Sequence, residues 1–166
     1  TRTISSAASD VYKRQSTYST STGKSDRSDE RVKMDDGWFR NGEQYYNEIK
    51  DCFMVALKKY QEKHHDCVCQ RYTDFRLNKY SKGGFMSRHI DNIHHSHGQQ
   101  YGYPHLTSLI FLNDNYEGGE FVMCDETYKP EIKQGSAIVF PSNFMFDHEV
   151  KKVTKGNRYS VMTWIM

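Results

Sequence analysis

The stretch Met86-Ser87-Arg88-His89-Ile90-Asp91 places a histidine and a carboxylate two residues apart in an extended segment. Alternate side chains of a strand share one face, so His89 and Asp91 point the same way and can reach one metal ion. His148 lies 57 residues beyond Asp91 and must come from another strand. Two imidazoles and a carboxylate on one side of an ion leave its other side open. That donor set suits Fe(II) better than zinc, which favours closed or four-coordinate sites. A fold that brings two distant strands face to face is therefore required.

Arg158 follows His148 by ten residues, and Ser160 alternates with it. On one strand the two share a face and can hold a carboxylate by charge-assisted hydrogen bonds. His89, Asp91, His148 and Arg158 in this order suggest an oxygenase that uses Fe(II) and 2-oxoglutarate, with three open metal positions for a chelating keto-acid and O2.

Working outward, the chain after residue 66 reads as short strands. Residues 67–69 (CVC) and 77–80 (LNKY) alternate, and Ser81-Lys82-Gly83-Gly84 makes a turn. Residues 106–113 (LTSLIFLN) are β-rich and apolar, as in a central strand. Strands are also expected at 120–124, 128–133, 136–140, 148–153 and 158–165, the third stopping at Pro141 and the last two joined by a hairpin turn at 154–157. Before them, Tyr46, Ile49, Phe53, Ala56, Leu57 and Tyr60 recur at spacings of three and four, which predicts a packing helix over about 43–62. One helix followed by about eight strands predicts a mainly β fold, a sandwich or jelly roll.

The 166 residues suit one domain. The hydrophobic fraction is only 36% and the mean hydropathy −0.87, in part because residues 1–30 hold 13 Ser or Thr. Such a segment buries too little apolar surface to offset its ordering entropy. Residues 1–33 are expected to be a disordered or non-native tail, and 34–166 the folded domain. The tail carries seven Lys/Arg and four Asp/Glu, the rest 16 and 17, so the domain is nearly neutral and has no basic stripe for nucleic acid. No run is long and apolar enough to span a membrane. Cys52, Cys67, Cys69 and Cys124 form no CxxC pair; they read as small buried residues of a protein in a reducing, cytoplasmic setting. His94, His95 and His97 fall in a segment rich in Gly, Gln and His, a candidate substrate lid rather than a second metal site.

The segment from Tyr80 to Asp91 (YSKGGFMSRHID) resembles the metal strand of the prolyl 4-hydroxylases. Leu109-Ile110-Phe111-Leu112-Asn113 with Tyr116-Glu117-Gly118-Gly119-Glu120 is similar to their central region. Phe140-Pro141-Ser142, His148-Glu149-Val150 and Val153 to Ser160 with Trp164-Ile165 are similar to their closing block. The resemblance covers about residues 66–166 and is closest to small bacterial and phage forms. It implies a double-stranded β-helix and a dioxygenase using Fe(II), 2-oxoglutarate as co-substrate and O2, with ascorbate as an additional expectation. It also implies succinate and CO2 as by-products of hydroxylating an unactivated C–H, most simply on a proline in a protein or peptide. His89, Asp91 and His148 match the iron ligands, and Arg158 and Tyr80 the contacts to the far carboxylate of 2-oxoglutarate. Ser160 and Thr107 are expected as neighbours of the co-substrate, and Trp164 as a wall of the iron pocket.

Two departures bear on the substrate. Many relatives carry tyrosine where this chain has Met86, and again where it has Phe111. Both spare the iron chemistry and weaken the case for proline. Hydroxylation of another side chain or of a small molecule is the second reading. A non-catalytic jelly-roll binding module is a third, and has no use for an open metal site.

Overall fold

The computed structural model describes residues 14–15, 18–19, 25–26, 31–69, 71–91 and 104–166. Its strands, all antiparallel where paired, are Arg14–Gln15 (β1), Tyr18–Ser19 (β2), Ser25–Asp26 (β3), Val32–Lys33 (β4) and Asp35–Phe39 (β5). One helix, Tyr46–Gln61 (α1), follows. Then come Phe75–Tyr80 (β6), Phe85–His89 (β7), Leu106–Phe111 (β8), Glu117–Gly118 (β9), Phe121–Met123 (β10), Ala137–Pro141 (β11), His148–Val150 (β12), Val153–Lys155 (β13) and Arg158–Ile165 (β14).

The strands form a six-stranded sheet in the order β1-β5-β6-β14-β8-β11 and a four-stranded sheet in the order β10-β12-β7-β4. One core lies between them. Tyr80, Leu109, Phe111, Met162 and Trp164 come to it from the larger sheet, and Val32, Phe121, Met123 and Val150 from the smaller. This is the jelly roll that the strand pattern predicts.

The outer face of the larger sheet is covered by α1. Tyr46, Ile49, Phe53 and Leu57 are its buried residues, at helical spacing. Phe53 stacks on Phe75 with ring centroids 5.1 Å apart, and Tyr46 meets the same ring at 4.9 Å. Glu48 in the first turn and Lys58 and Lys59 in the last complement the helix dipole. With both faces covered, every residue of β8 is buried. That explains its unbroken apolar run, since alternation needs one wet face.

Some expectations change. Cys67 to Cys69 is not a strand: Val68 is exposed, and the two thiols lie 3.8 Å apart in irregular chain. Residues 128–133 also form no strand. Cys124, Asp125 and Glu126 all adopt positive φ and turn the chain after β10, leaving only an isolated bridge between Tyr128 and Met123. Residues 148–153 do not make one strand, and the expected hairpin at 154–157 is absent. β13 pairs with β9 instead, while β14 pairs with β6 and β8. Gly118 permits the β9–β13 approach. Its φ is +71°, and a Cβ there would collide with the Lys152 carbonyl.

The folded unit also reaches further back than residue 34. Val32 is buried in the core and β4 pairs with β7, while β1 pairs with β5. The rest of the expected tail, and residues 92–103 of the expected lid, lie outside the described residues. Among the described residues no helix is long and apolar enough to cross a membrane.

Phe75 is fully buried and touches rings of Tyr46, Phe53 and Tyr72, so it joins helix to sheet. Phe75→Ala is expected to cost about 3–5 kcal/mol in urea unfolding, the range for deleting a well-packed core aromatic.

Candidate active site

The site begins with strand register. β12 pairs with β7, and His148 lies directly opposite His89. Their rings are 4.3 Å apart, centroid to centroid. The next pair is Val150 with Met86, so the register shifts and a bulge lies between. Three residues on β7 span what two span on β12. The bulge lets both Met86 and His89 turn to the core, while Arg88 points outward to Asp125 and Asp147.

Asp91 lies just past the end of β7, not within the strand, yet it is buried and turned the same way as His89. Its Oδ1 is 3.7 Å from His89 Nε2 and its Oδ2 is 3.5 Å from His148 Nε2. One ligand atom from each of His89, Asp91 and His148 lies within 4.8 Å of the others, and among the described residues this is the one such cluster of three or more. The gap between them is the size of a metal ion.

Both imidazoles are held in one tautomer. His89 Nδ1 lies 2.8 Å from the Ser87 carbonyl and His148 Nδ1 lies 3.1 Å from the Phe146 carbonyl. A carbonyl can only accept, so each Nδ1 donates and each Nε2 lone pair faces the cluster. Burial, with His148 alongside, pushes the His89 pKa down to about 4. His89 is therefore neutral at neutral pH, as a metal ligand must be. The donor set of two imidazoles and a carboxylate fits Fe(II).

A second cluster lies on β6 and β14, where Tyr80 and Arg158 face each other in register. Arg158 is fully buried. Its guanidinium sits 5.1 Å from the centre of the Tyr80 ring and 5.3 Å from that of Phe111. Nη1 has a long contact of 3.4 Å to Ser160 Oγ, while Nε and Nη2 have no hydrogen-bond partner. Among the described residues no carboxylate pairs with it. A buried cation without a counter-ion is costly, so this group is built to receive an anion. A carboxylate matches its fork. Burial raises the Tyr80 phenol above its usual pKa although Arg158 pulls it down, so Tyr80 remains a donor.

The two clusters share one interior. Phe111 packs on Phe121, and Phe121 on Phe140 and His148. Gly119 lies behind Arg158. A Cβ there would come within 2.9 Å of Val153 Cγ2 and 3.1 Å of Arg158 Cδ.

The structure thus brings together His89, Asp91 and His148 as one group, and Arg158, Tyr80 and Ser160 as another. Trp164 lies on the inner face of β14 with its ring 6.5 Å from that of Trp38. The Thr107 hydroxyl donates to Asp91 Oδ2 at 2.6 Å. Sequence reasoning missed Ser142, whose Oγ is 2.9 Å from Thr107 Oγ1, and the Ser87 and Phe146 carbonyls. The carbonyls left no signal. Ser142, next to Pro141 at the end of β11, carried only a weak one.

Residues 75–166 match the 2OG-Fe(II) oxygenase superfamily. A PKHD-type hydroxylase of Stenotrophomonas maltophilia is 31% identical over 124 residues, covering 71% of this chain and 54% of the relative. Another, from Psychrobacter, is 36% identical over 92 residues, covering 52% and 35%. The chain therefore spans about half the length, or less, of these curated relatives. A prolyl-4-hydroxylase of Pseudomonas putida superposes with a TM-score of 0.66 at 19% identity, over 83% of this chain and 74% of that one. A Trichoplax adhaerens prolyl hydroxylase, solved with a hypoxia inducible factor peptide, gives 0.68 at 20% identity, over 99% and 74%. These neighbours carry the double-stranded β-helix seen here. By fold and by sequence the chain belongs to the 2OG-Fe(II) oxygenase superfamily.

Proposed function

We propose that this protein is a hydroxylase that couples the oxidative decarboxylation of 2-oxoglutarate to hydroxylation of a peptidyl proline. One O2 is consumed; one of its atoms enters succinate and the other the new hydroxyl, and CO2 leaves. The observation that carries the reading is Arg158: a buried guanidinium with two unpartnered nitrogens in the same interior as a His-Asp-His cluster. An iron site alone does not need that cation, whereas a dicarboxylate co-substrate does.

Each residue has a task in this reading. His89, Asp91 and His148 would hold Fe(II). Bound iron supplies the O2 activation that an unactivated C–H requires. Arg158 pairs with the far carboxylate of 2-oxoglutarate, and the Tyr80 phenol and Ser160 hydroxyl are placed to add donors to it. Phe111, Phe121 and Trp164 keep water from the interior, which strengthens the Arg158–carboxylate pair. The curated relatives support a hydroxylase, and the prolyl hydroxylase neighbours share the fold. Ascorbate as an auxiliary reductant belongs to the same reading, as does a protein or peptide partner.

A second reading is hydroxylation of another side chain or a small molecule. Met86 favours it. This thioether faces the Tyr80 hydroxyl at 4.0 Å, where many relatives offer a phenol.

The deciding assay measures succinate formation with Fe(II) and 2-oxoglutarate, with and without proline-rich peptides. Peptide-stimulated turnover with one oxygen gained on proline is expected, and is lost in His148→Ala. Turnover that no peptide stimulates, still lost in the variant, would discard the proline substrate and keep the oxygenase. Arg158→Met is expected to raise the KM for 2-oxoglutarate at least about tenfold, since a charge-assisted pair is worth about 1.5–3 kcal/mol. An unchanged KM would remove Arg158 from co-substrate binding.

His89 also gives a pH dependence. Its pKa is lowered from 6.5 unfolded to about 4 folded, so between these values the unfolded chain takes up a proton that the folded chain refuses. Its contribution to the stability of the metal-free protein is full above about pH 6.5 and is lost as pH falls towards 4. His89→Gln is expected to flatten that part of the urea-midpoint profile; parallel profiles for the two proteins would contradict it.

A further inference from the structure

We propose that Thr107, with Ser142 behind it, is a positioning residue that fixes Asp91 for ligation through one oxygen. The inference rests on the reading that His89, Asp91 and His148 hold the ion. Thr107 lies on β8 in the middle of the larger sheet, opposite Phe140 of β11 and Trp164 of β14, so its backbone is clamped on both sides. Thr107 and Ser142 are both buried. Thr107 Oγ1 is 2.6 Å from Asp91 Oδ2 and 2.9 Å from Ser142 Oγ. The Ser142 backbone N–H is itself bound to the His105 carbonyl at 2.9 Å.

Proton counting gives this chain a direction. A metal-bound carboxylate is ionised and only accepts. The single Thr107 proton therefore goes to Asp91, and Ser142 must donate its own to Thr107. Threonine adds stiffness, because its branched Cβ restricts χ1. Asp91 sits beyond the last residue of β7, outside the ladder that orients His89 and His148. The Thr107 hydroxyl supplies the tie to the sheet that the ladder does not. By engaging Oδ2, it also opposes ligation through both oxygens. Two-oxygen ligation would occupy a position that the keto-acid or O2 requires.

The test is a Co(II) titration of the metal-free protein, read by visible ligand-field absorption, for wild type, Thr107→Val, Thr107→Ser and Ser142→Ala. Near-UV circular dichroism checks that each is folded. Thr107→Val keeps the shape and deletes the hydroxyl. It is expected to weaken Co(II) binding about 10–100-fold, the range for removing a partner of a metal ligand, and to change the spectrum. Thr107→Ser restores the hydroxyl and is expected to restore both. Thr107→Val that binds Co(II) with wild-type affinity and spectrum overturns the inference. Should Thr107→Val fail to fold, Ser142→Ala decides: weaker binding supports the chain, and wild-type affinity and spectrum overturn it. Wild-type protein that binds no Co(II) would instead overturn the iron-site reading itself.

Discussion

The pairing of His148 with His89 across β7 and β12 is the constraint on which the rest depends. It joins two strands far apart in sequence as neighbours in the middle of the smaller sheet. The bulge beside it puts His89 inward at a point where simple alternation from Met86 would have sent it out. The carbonyls of Ser87 and Phe146 then fix both rings with Nε2 facing Asp91. Ring orientation and tautomer are thus set by the backbone before any ion arrives. Preorganisation of this kind lowers the cost of binding.

Arg158 is the counterpart of that arrangement. A fully buried guanidinium with unpartnered nitrogens weakens the fold unless an anion joins it. The protein tolerates the cost by laying the cation against the Tyr80 and Phe111 rings. Gly119 leaves the room, since any side chain there would press on Arg158 and Val153. An anion paired with Arg158 would therefore also complete the core, and the protein is expected to be firmer with a dicarboxylate bound.

Much of this was legible in the sequence, for physical reasons. The helix showed because its buried face repeats at three and four residues. β14 showed because its inward residues Arg158, Ser160 and Trp164 and its β-rich outward ones obey a strict period of two. The His89–Asp91–His148 cluster showed because few other roles need His-x-Asp and a distant histidine in that order. What failed was non-local. Cys67 to Cys69 and residues 128–133 alternate like strands, but a strand exists only where a partner edge is available. Val68 instead faces solvent, and the left-handed run from Cys124 to Glu126 turns the chain away. Gly156 and its neighbours read as a hairpin, yet β13 found its partner in β9. The hydrogen bond from Thr107 to Asp91 also left no signal, because it depends on where Asp91 ends up after β7, and no local pattern states that.

On the proposed reading, one interior holds both an iron site at His89, Asp91 and His148 and a dicarboxylate site at Arg158. The most direct measurement is an anaerobic titration of the Fe(II)-loaded protein with 2-oxoglutarate, following the visible charge-transfer absorption that appears when a keto-acid chelates Fe(II). A saturable band is expected in the wild type, no band in His148→Ala, and a band in Arg158→Met only at much higher 2-oxoglutarate. A band of equal affinity in Arg158→Met, or none in the wild type with Fe(II) bound, would contradict it.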